Sequence, residues 1–442
     1  MAFRIQHSVC VTTLFTVLAC EGGSVGDEGS SSSGADSSGG ESMTSTTMTS
    51  TTMTSTTMTS SSTDPDTSGS SDPTDTDGTT GAGGCPQDVD FGTLDTSGCA
   101  PLSSDFTPGA DDDYGACMAD DNEWHLIETA PSSAARTEAY EDIVALLRNG
   151  TTPAAADFTA ARALYATDNG IESRVLRRED LHYPPIPVED QDMSVTFDRQ
   201  CTVGDNADTY PDRCVGPAKI QPIVDAAFDA GELGEGNLDV HAARIDAALQ
   251  WFFFVSVYKE SASCIAAPGD CDSHWAYYNG AVTHEDAIGI ALNFRDIDPQ
   301  IDDAVWNGML AINCWRDIYP PDGDPEFSDL GLDAQAMFYN AHEQLDNAMW
   351  HGWARLVRTY LEAQPAVCDA AAEANWAWVQ IAGPVLDDEA GLRDATAAAT
   401  LASLWANPAP SVDDLQAGVM ALDALFPCPQ CPDCDVPQEW GY

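Results

Sequence analysis

The chain has 442 residues and a formal net charge of −55, from 17 basic and 72 acidic side chains. A field of that sign repels phosphate backbones and anionic lipid head groups, which excludes nucleic acid as a partner and favours cations or cationic groups. The acidity therefore serves either solubility in salt or the binding of such cations.

The N-terminus has the pattern of a lipoprotein signal. Arg4 precedes an apolar run over residues 9–19, which is too short to span a bilayer and ends at Cys20. The sequence Val-Leu-Ala-Cys at residues 17–20 resembles the bacterial lipobox, whose cysteine is acylated and becomes the mature N-terminus. The resemblance implies a signal peptide over residues 1–19, a lipid anchor at Cys20 and export of the protein.

Residues 20–84 are predicted to form a disordered tether. They are rich in Ser, Thr, Gly and Asp. The five-residue sequence Met-Thr-Ser-Thr-Thr begins at Met43 and again at Met48 and Met53. Such a segment buries too little apolar surface to fold, and it acts as a flexible spacer. A signal followed by a Ser/Thr-rich stalk resembles outer-envelope lipoproteins of the myxobacterial type. That likeness ends before Cys85, and it implies anchoring to the outer membrane or cell surface of a Gram-negative bacterium.

The rest of the chain is predicted to be all-α. Apolar residues recur at helical spacing over 120–426, between an irregular cysteine-containing segment (85–119) and a Cys/Pro-rich tail (427–442). This stretch is long enough for one large core or for two helical bundles that meet at a cleft. The aromatic run from Trp251 to Phe254 is expected at its centre. Predicted helices cover 133–148, 154–167, 238–261, 299–318, 333–364, 367–382 and 411–425.

The cysteine count agrees with export. Of 14 cysteines, Cys10 lies in the signal and Cys20 is the proposed anchor, which leaves 12 (14 minus 2). An even number in an oxidising compartment predicts a disulfide-stapled multi-helix bundle. Two bridges follow from loop placement, Cys201–Cys214 and Cys264–Cys271.

The pairing of the other cysteines stays open at this point. Cys314 and Cys368 lie in helical contexts, so a bridge between them requires that their helices pack side by side. The tail forms two overlapping Cys-x-x-Cys units, which favour disulfides over a soft-metal site. The cysteines without an assigned partner in the first and last segments are Cys85, Cys99, Cys117, Cys428, Cys431 and Cys434.

The most unusual patch for a ligand is a cluster of bases. Arg174, Arg177 and Arg178 would share one face if the segment were helical, in a geometry suited to a carboxylate or phosphate. The alternative is that they pair with the abundant acids. The predicted ligand site combines these arginines and His182 with an aromatic loop that contains Trp275, Tyr277 and Tyr278.

A second candidate is the sequence His342-Glu343-Gln-Leu-Asp346, which resembles the His-Glu-x-x-His zinc site of metalloproteases. The resemblance implies His342 and Asp346 as metal ligands and Glu343 as general base. It departs from the motif in having Asp in place of the second His. His351, nine residues from His342, would lie about 180° around a continuous helix and so could not complete the same site. The alternative is a charged helix surface beside a core stripe.

A third candidate is an acidic segment with side-chain oxygens at alternate positions, as in a calcium loop. The residues are Asp322, Asp324 and Glu326, and Asp333 stands where the twelfth-position acid would be. Phe327 occupies the position where an EF-hand needs glycine, so an ordinary acidic loop is the alternative. If either site holds, the cofactor is a divalent cation.

The chain lacks the nucleophile elbow, the Walker loop and the dinucleotide fingerprint. Their absence favours a non-catalytic, surface-tethered domain that binds a cation, a small ligand or an envelope protein. The alternative is a metal-dependent, zinc hydrolase-like enzyme that uses His342, Glu343 and Asp346.

Overall fold

The computed structural model describes residues 85–94, 101–109, 114–167, 170–265, 267–319 and 327–427. The proposed signal, the lipid anchor and the tether lie outside these ranges. So do Cys99, the acidic loop with Asp322, Asp324 and Glu326, and the three tail cysteines.

The described part of the chain is all-α, as the apolar periodicity predicts, and it contains no strand. None of its helices combines the length and the hydropathy that crossing a bilayer requires. The helices are α1 (Ala134–Leu147), α2 (Ala155–Tyr165), α3 (Ile171–Val175), α4 (Asn206–Thr209), α5 (Gln221–Leu233), α6 (Leu238–Ser263), α7 (Pro268–Asn279), α8 (Ile290–Ile297), α9 (Pro299–Ile318), α10 (Leu332–Ala363), α11 (Asp369–Ala382), α12 (Asp387–Arg393), α13 (Ala395–Trp405) and α14 (Val412–Leu425).

All seven helices predicted from the sequence are present, and their ends differ from the predicted ends by two residues or fewer. Side-chain caps account for several of the starts. Asn237 accepts a hydrogen bond from the Asp239 amide at the start of α6, and Ser411 forms the predicted capping box with Asp414 before α14. These side chains satisfy amide groups that the first helical turn leaves unpaired.

Helix α6 forms the centre of the core. It packs against α5, α7 and α11, so it is buried on almost every side. Phe252, Phe253 and Phe254 have no exposed surface, and Trp251 is 7% exposed. The aromatic run is therefore central, as its apolar surroundings predict.

Helices α9 and α10 form an antiparallel pair beside this core. The Trp315 and Phe338 rings meet edge to face at 4.8 Å, and Gly308 lies against Leu345 further along both helices. A Cβ atom at Gly308 would lie 2.7 Å from the Leu345 Cα, so the close approach of the two helices requires glycine there.

The segment before α1 packs onto the helices. Phe106 is buried, and its backbone exchanges two hydrogen bonds of 2.9 Å with the Gln344 side-chain amide on α10. These two hydrogen bonds satisfy the amide and the carbonyl group of Phe106, which lies outside any helix.

Four cysteine pairs lie at disulfide distance in the described residues. Cys201 pairs with Cys214 and Cys264 with Cys271, which are the two bridges that loop placement predicts. A bridge between Cys314 and Cys368, which the sequence left open, is not formed. Each instead pairs with the N-terminal segment, in the bridges Cys117–Cys314 and Cys85–Cys368. The irregular segment is thereby stapled to the helices at two points.

The stabilising effect of these bridges should follow the length of chain that each one closes. Cys117–Cys314 spans 197 residues and Cys264–Cys271 spans 7. Loop-closure entropy predicts a loss of about 5 kcal/mol for the double variant Cys117→Ala/Cys314→Ala and about 2.5 kcal/mol for Cys264→Ala/Cys271→Ala. Urea unfolding of both variants measures the free energies. An equal or reversed order would contradict the entropic account.

Candidate functional site

The segment that follows α3 carries three consecutive charged residues into the interior. Arg178, Glu179 and Asp180 are each 5% exposed or less. Gly216 makes the docking possible, because its amide donates to the Arg178 carbonyl at 3.0 Å and a Cβ there would lie 2.0 Å from the Val175 carbonyl oxygen. Buried charges are tolerated only when they are paired.

Each of the first two charges has its own partner. Arg178 donates to Glu260 of α6 at 2.8 Å, and its guanidinium lies over the Phe252 and Tyr277 rings at 5.4 and 5.3 Å. Burial alone would raise the pKa of Glu260, but Lys259 and Arg178 outweigh it and lower that pKa to about 2. Glu179 accepts from Arg213 at 2.8 Å.

The three predicted arginines do not share a helix face. Helix α3 ends at Val175, so Arg177 and Arg178 lie beyond it and point in different directions. Arg177 pairs with Asp198 at 2.6 Å, Arg178 is buried on Glu260, and Arg174 is half-buried. The helix that a shared face required ends at Val175, and Arg177 and Arg178 pair with acids, which is the alternative that the sequence offered.

The predicted aromatic loop is helix α7. Pro268 at its first turn and Gly280 at its C-cap delimit the helix, and these signals were present in the sequence. Trp275 stacks on Trp124 at 5.4 Å, and the Tyr278 hydroxyl donates to Asp302 at 2.8 Å. Tyr277 lies under Arg178, so the arginine patch and the aromatic cluster do meet, although inside the core.

The centre of the candidate site is His182, which stands between two carboxylates. Its Nδ1 lies 2.6 Å from Asp180 Oδ1, and its Nε2 lies 3.4 Å from Asp346 Oδ1 on α10. The Tyr258 and Trp350 rings pack against the imidazole at 4.2 and 4.7 Å. Burial would lower the pKa of His182, but Asp180 and Asp346 outweigh it and raise that pKa to about 10. The imidazole is therefore cationic at neutral pH.

A carboxylate rim at the start of α12 lies close enough to His182 for the imidazolium charge to act on two of its acids. We use "carboxylate rim" for Asp387, Asp388 and Glu389, the first three residues of α12. Burial raises the pKa of all three carboxyls. Asp346 adds to this rise at Glu389, while at Asp388 the His182 charge opposes it and Asp180 adds to it. Of the three rim acids, only Glu389 forms an ion pair with a base of the described residues, so the rim keeps a negative charge.

Two bases near the carboxylate rim partly offset its negative charge. Arg393 pairs with Glu389 at 2.6 Å, and Lys219 pairs with Asp212 at 2.6 Å while its ammonium lies 5.9 Å from the Tyr183 ring centre. Each of these bases already has a carboxylate partner. A cation that approaches the rim therefore meets carboxylates, of which Asp388 is exposed.

The predicted zinc ligands have different surroundings. His342 is 3% exposed and lies against the Phe338 ring at 4.0 Å, and burial together with His274 lowers its pKa to about 3. Asp346 faces His182 instead. The part of the chain that the structure describes contains no group of three His, Cys, Asp or Glu side chains that could hold a metal ion. His351 Nδ1 lies 3.2 Å from the Phe426 carbonyl oxygen.

The structure therefore joins residues from two separate sequence candidates. His182 was predicted with the arginine patch and Asp346 with the zinc motif, and the fold brings them to 3.4 Å. Asp180 and the carboxylate rim were missed. The only sequence signal for the rim is the run of three acids after Pro384, and such runs are common in this acidic chain.

No family model, curated protein or solved structure matches this chain.

The His182 network should make stability depend on pH with a definite sign. The pKa of His182 rises on folding from 6.5 to about 10, so its contribution is complete below pH 6.5 and is lost as the pH rises towards 10. We expect His182→Gln to lower the free energy of unfolding by about 3–5 kcal/mol at pH 6, because it leaves two buried carboxylates without their cation. The difference from wild type should shrink between pH 6.5 and 10.

His125→Gln is the control, because His125 is exposed and pairs with Asp121 at the surface. Chemical denaturation at pH 6, 8 and 10 gives the three free-energy differences, and the control should give a small, flat one. A His182→Gln difference that stays constant across this range would contradict the assigned charge on His182.

Proposed function

We propose that this chain is an exported, surface-tethered binding protein whose helical domain takes a cationic group at the carboxylate rim beside His182. The role is non-catalytic. The ligand is a cation, a cationic small molecule or the basic surface of an envelope partner. One observation carries the proposal: Asp388 is exposed and forms no ion pair with a base of the described residues, while the nearby bases Lys219 and Arg393 already pair with Asp212 and Glu389.

The distribution of bases supports this reading. Most basic side chains in the described ranges lie within 4 Å of a carboxylate, so they neutralise acids within the domain. They are Arg148, Arg162, Arg177, Arg178, Arg213, Lys219, Lys259, Arg295, Arg358 and Arg393. The remaining acids give the surface its negative field, which concentrates cations and raises their association rates.

The carboxylate rim also gives a reason why a cation would bind there and not elsewhere on the acidic surface. A cation placed against Asp388 and Glu389 would relieve the repulsion that Asp180 and Asp346 exert on them. His182 lies behind these acids and is itself held by Asp180 and Asp346. The site would therefore accept a cation at its mouth without rearranging the buried network.

The rim is tested with calcium and spermidine as probes in isothermal titration calorimetry. We expect Asp388→Asn/Glu389→Gln to weaken binding about tenfold, which corresponds to about 1.4 kcal/mol. The matched control is Glu123→Gln/Asp413→Asn, which removes two negative charges at exposed positions elsewhere. If both double variants weaken binding equally, the bulk charge binds the probes and the rim proposal fails.

The location is proposed from the N-terminal sequence. We propose that Cys20 carries a lipid that anchors the protein to the outer membrane or cell surface of a Gram-negative bacterium, with residues 20–84 as the tether. A tether of that length would let the domain sample cations and partners away from the membrane.

The anchor is tested by fractionation and fatty-acid labelling in a Gram-negative host. Cys20→Ser should abolish labelling and move the protein from the membrane to the soluble fraction. Cys10→Ser, which changes a cysteine inside the signal, should leave both unchanged. Membrane association and labelling that persist in Cys20→Ser would contradict the anchor.

A further inference from the structure

A groove lies between α5, α6 and α11, and it is lined by none of the residues of the His182 site. One half has a volume of about 420 Å³, which falls within the range of small-molecule sites. Its lining is apolar except for Arg244 and Gln380. The apolar lining residues are Pro222, Ile223, Ala226, Ala227, Ala377 and Ile381.

The groove continues into a second half of about 380 Å³, which shares Arg244, Ala377 and Gln380 with the first. Trp376 and Val240 line this extension. Arg244 thus stands at the junction of the two halves, where its guanidinium can reach a ligand in either one.

Arg244 belongs to the minority of described bases that have no carboxylate partner. It is exposed, and no carboxylate of the described residues lies within 4 Å of it, whereas most other bases are paired. The nearest acid of the groove lining is Glu373, and one of its oxygens already accepts a hydrogen bond from Asn237 at 2.9 Å. An exposed, unpaired guanidinium beside an apolar surface is suited to bind a carboxylate that carries an apolar chain.

We infer that this groove binds a small monocarboxylate with an aliphatic body. The carboxylate accepts hydrogen bonds from Arg244 and the Gln380 amide, and the aliphatic body covers Ile223, Ala226 and Ile381. A polyanion is disfavoured because the net charge of −55 repels it, whereas a single negative charge meets one unpaired arginine. Burial of the aliphatic body supplies most of the affinity, since an exposed ion pair contributes little.

This site is separate from the proposed cation site and takes a ligand of opposite charge. The two proposals can fail independently, because the variants that test them lie on different helices. Loss of octanoate binding in an Arg244 variant says nothing about the rim, and loss of calcium binding in the rim variant says nothing about the groove.

The test uses sodium octanoate as the probe on the full chain with Cys20→Ser, labelled at isoleucine methyl groups. Octanoate should shift the Ile223 and Ile381 methyl signals saturably, and the uncharged analogue 1-octanol should bind about three- to tenfold more weakly. Arg244→Gln should weaken octanoate binding by a similar factor, and Arg244→Lys should restore part of it. Arg199→Gln, which removes the charge of another exposed arginine, should leave binding unchanged.

Ala226→Trp provides an independent check, because Ala226 is exposed and a larger side chain there fills the groove without entering the core. It should abolish the shifts while circular dichroism stays that of wild type. The inference is overturned if octanol binds as tightly as octanoate, if Arg244→Gln binds octanoate like wild type, or if saturable shifts at Ile223 and Ile381 are absent.

Discussion

The burial of three consecutive charges at Arg178, Glu179 and Asp180 is the constraint on which the arrangement around the candidate site depends. Removing an ion from water costs several kcal/mol, so each charge must find a partner inside the protein. Glu260 on α6 pairs with Arg178, and Arg213 pairs with Glu179. Asp180 reaches α10 through His182. One short segment thereby links parts of the chain that are far apart in sequence.

The same pairing of bases with acids recurs elsewhere in the described domain. Most of its described bases pair with carboxylates, some of them inside the core, as at Arg178 on Glu260. The surface then keeps its negative charge, with the carboxylate rim at one place. Arg244 departs from this arrangement, because it lies open in an apolar groove. The two proposed sites differ in local charge, because the carboxylate rim is negative and the groove contains an unpaired positive charge.

The long helices were predictable because their signals are local. Apolar spacing set the extents of α6, α9 and α10, and the capping box at Ser411 marked the start of α14. Helix α7 was predicted as a loop although Pro268 and Gly280 delimit it. Its apolar residues do not recur at a regular helical spacing, so periodicity gave no signal for a helix. The bridges of Cys314 and Cys368 could not be predicted, since their partners lie 197 and 283 residues away in a segment without periodicity.

The sequence by itself determined the helical class, the extents of the long helices, the central place of the Trp251–Phe254 run and the short-range disulfides. Each of these depends on neighbouring residues or on composition. Only the tertiary structure decided that His182 lies between Asp180 and Asp346, that Arg178 is buried on Glu260, and that Arg244 stays unpaired. Burial and Coulomb pairing act between side chains that meet only after the chain has folded, so local patterns do not encode which charges become partners.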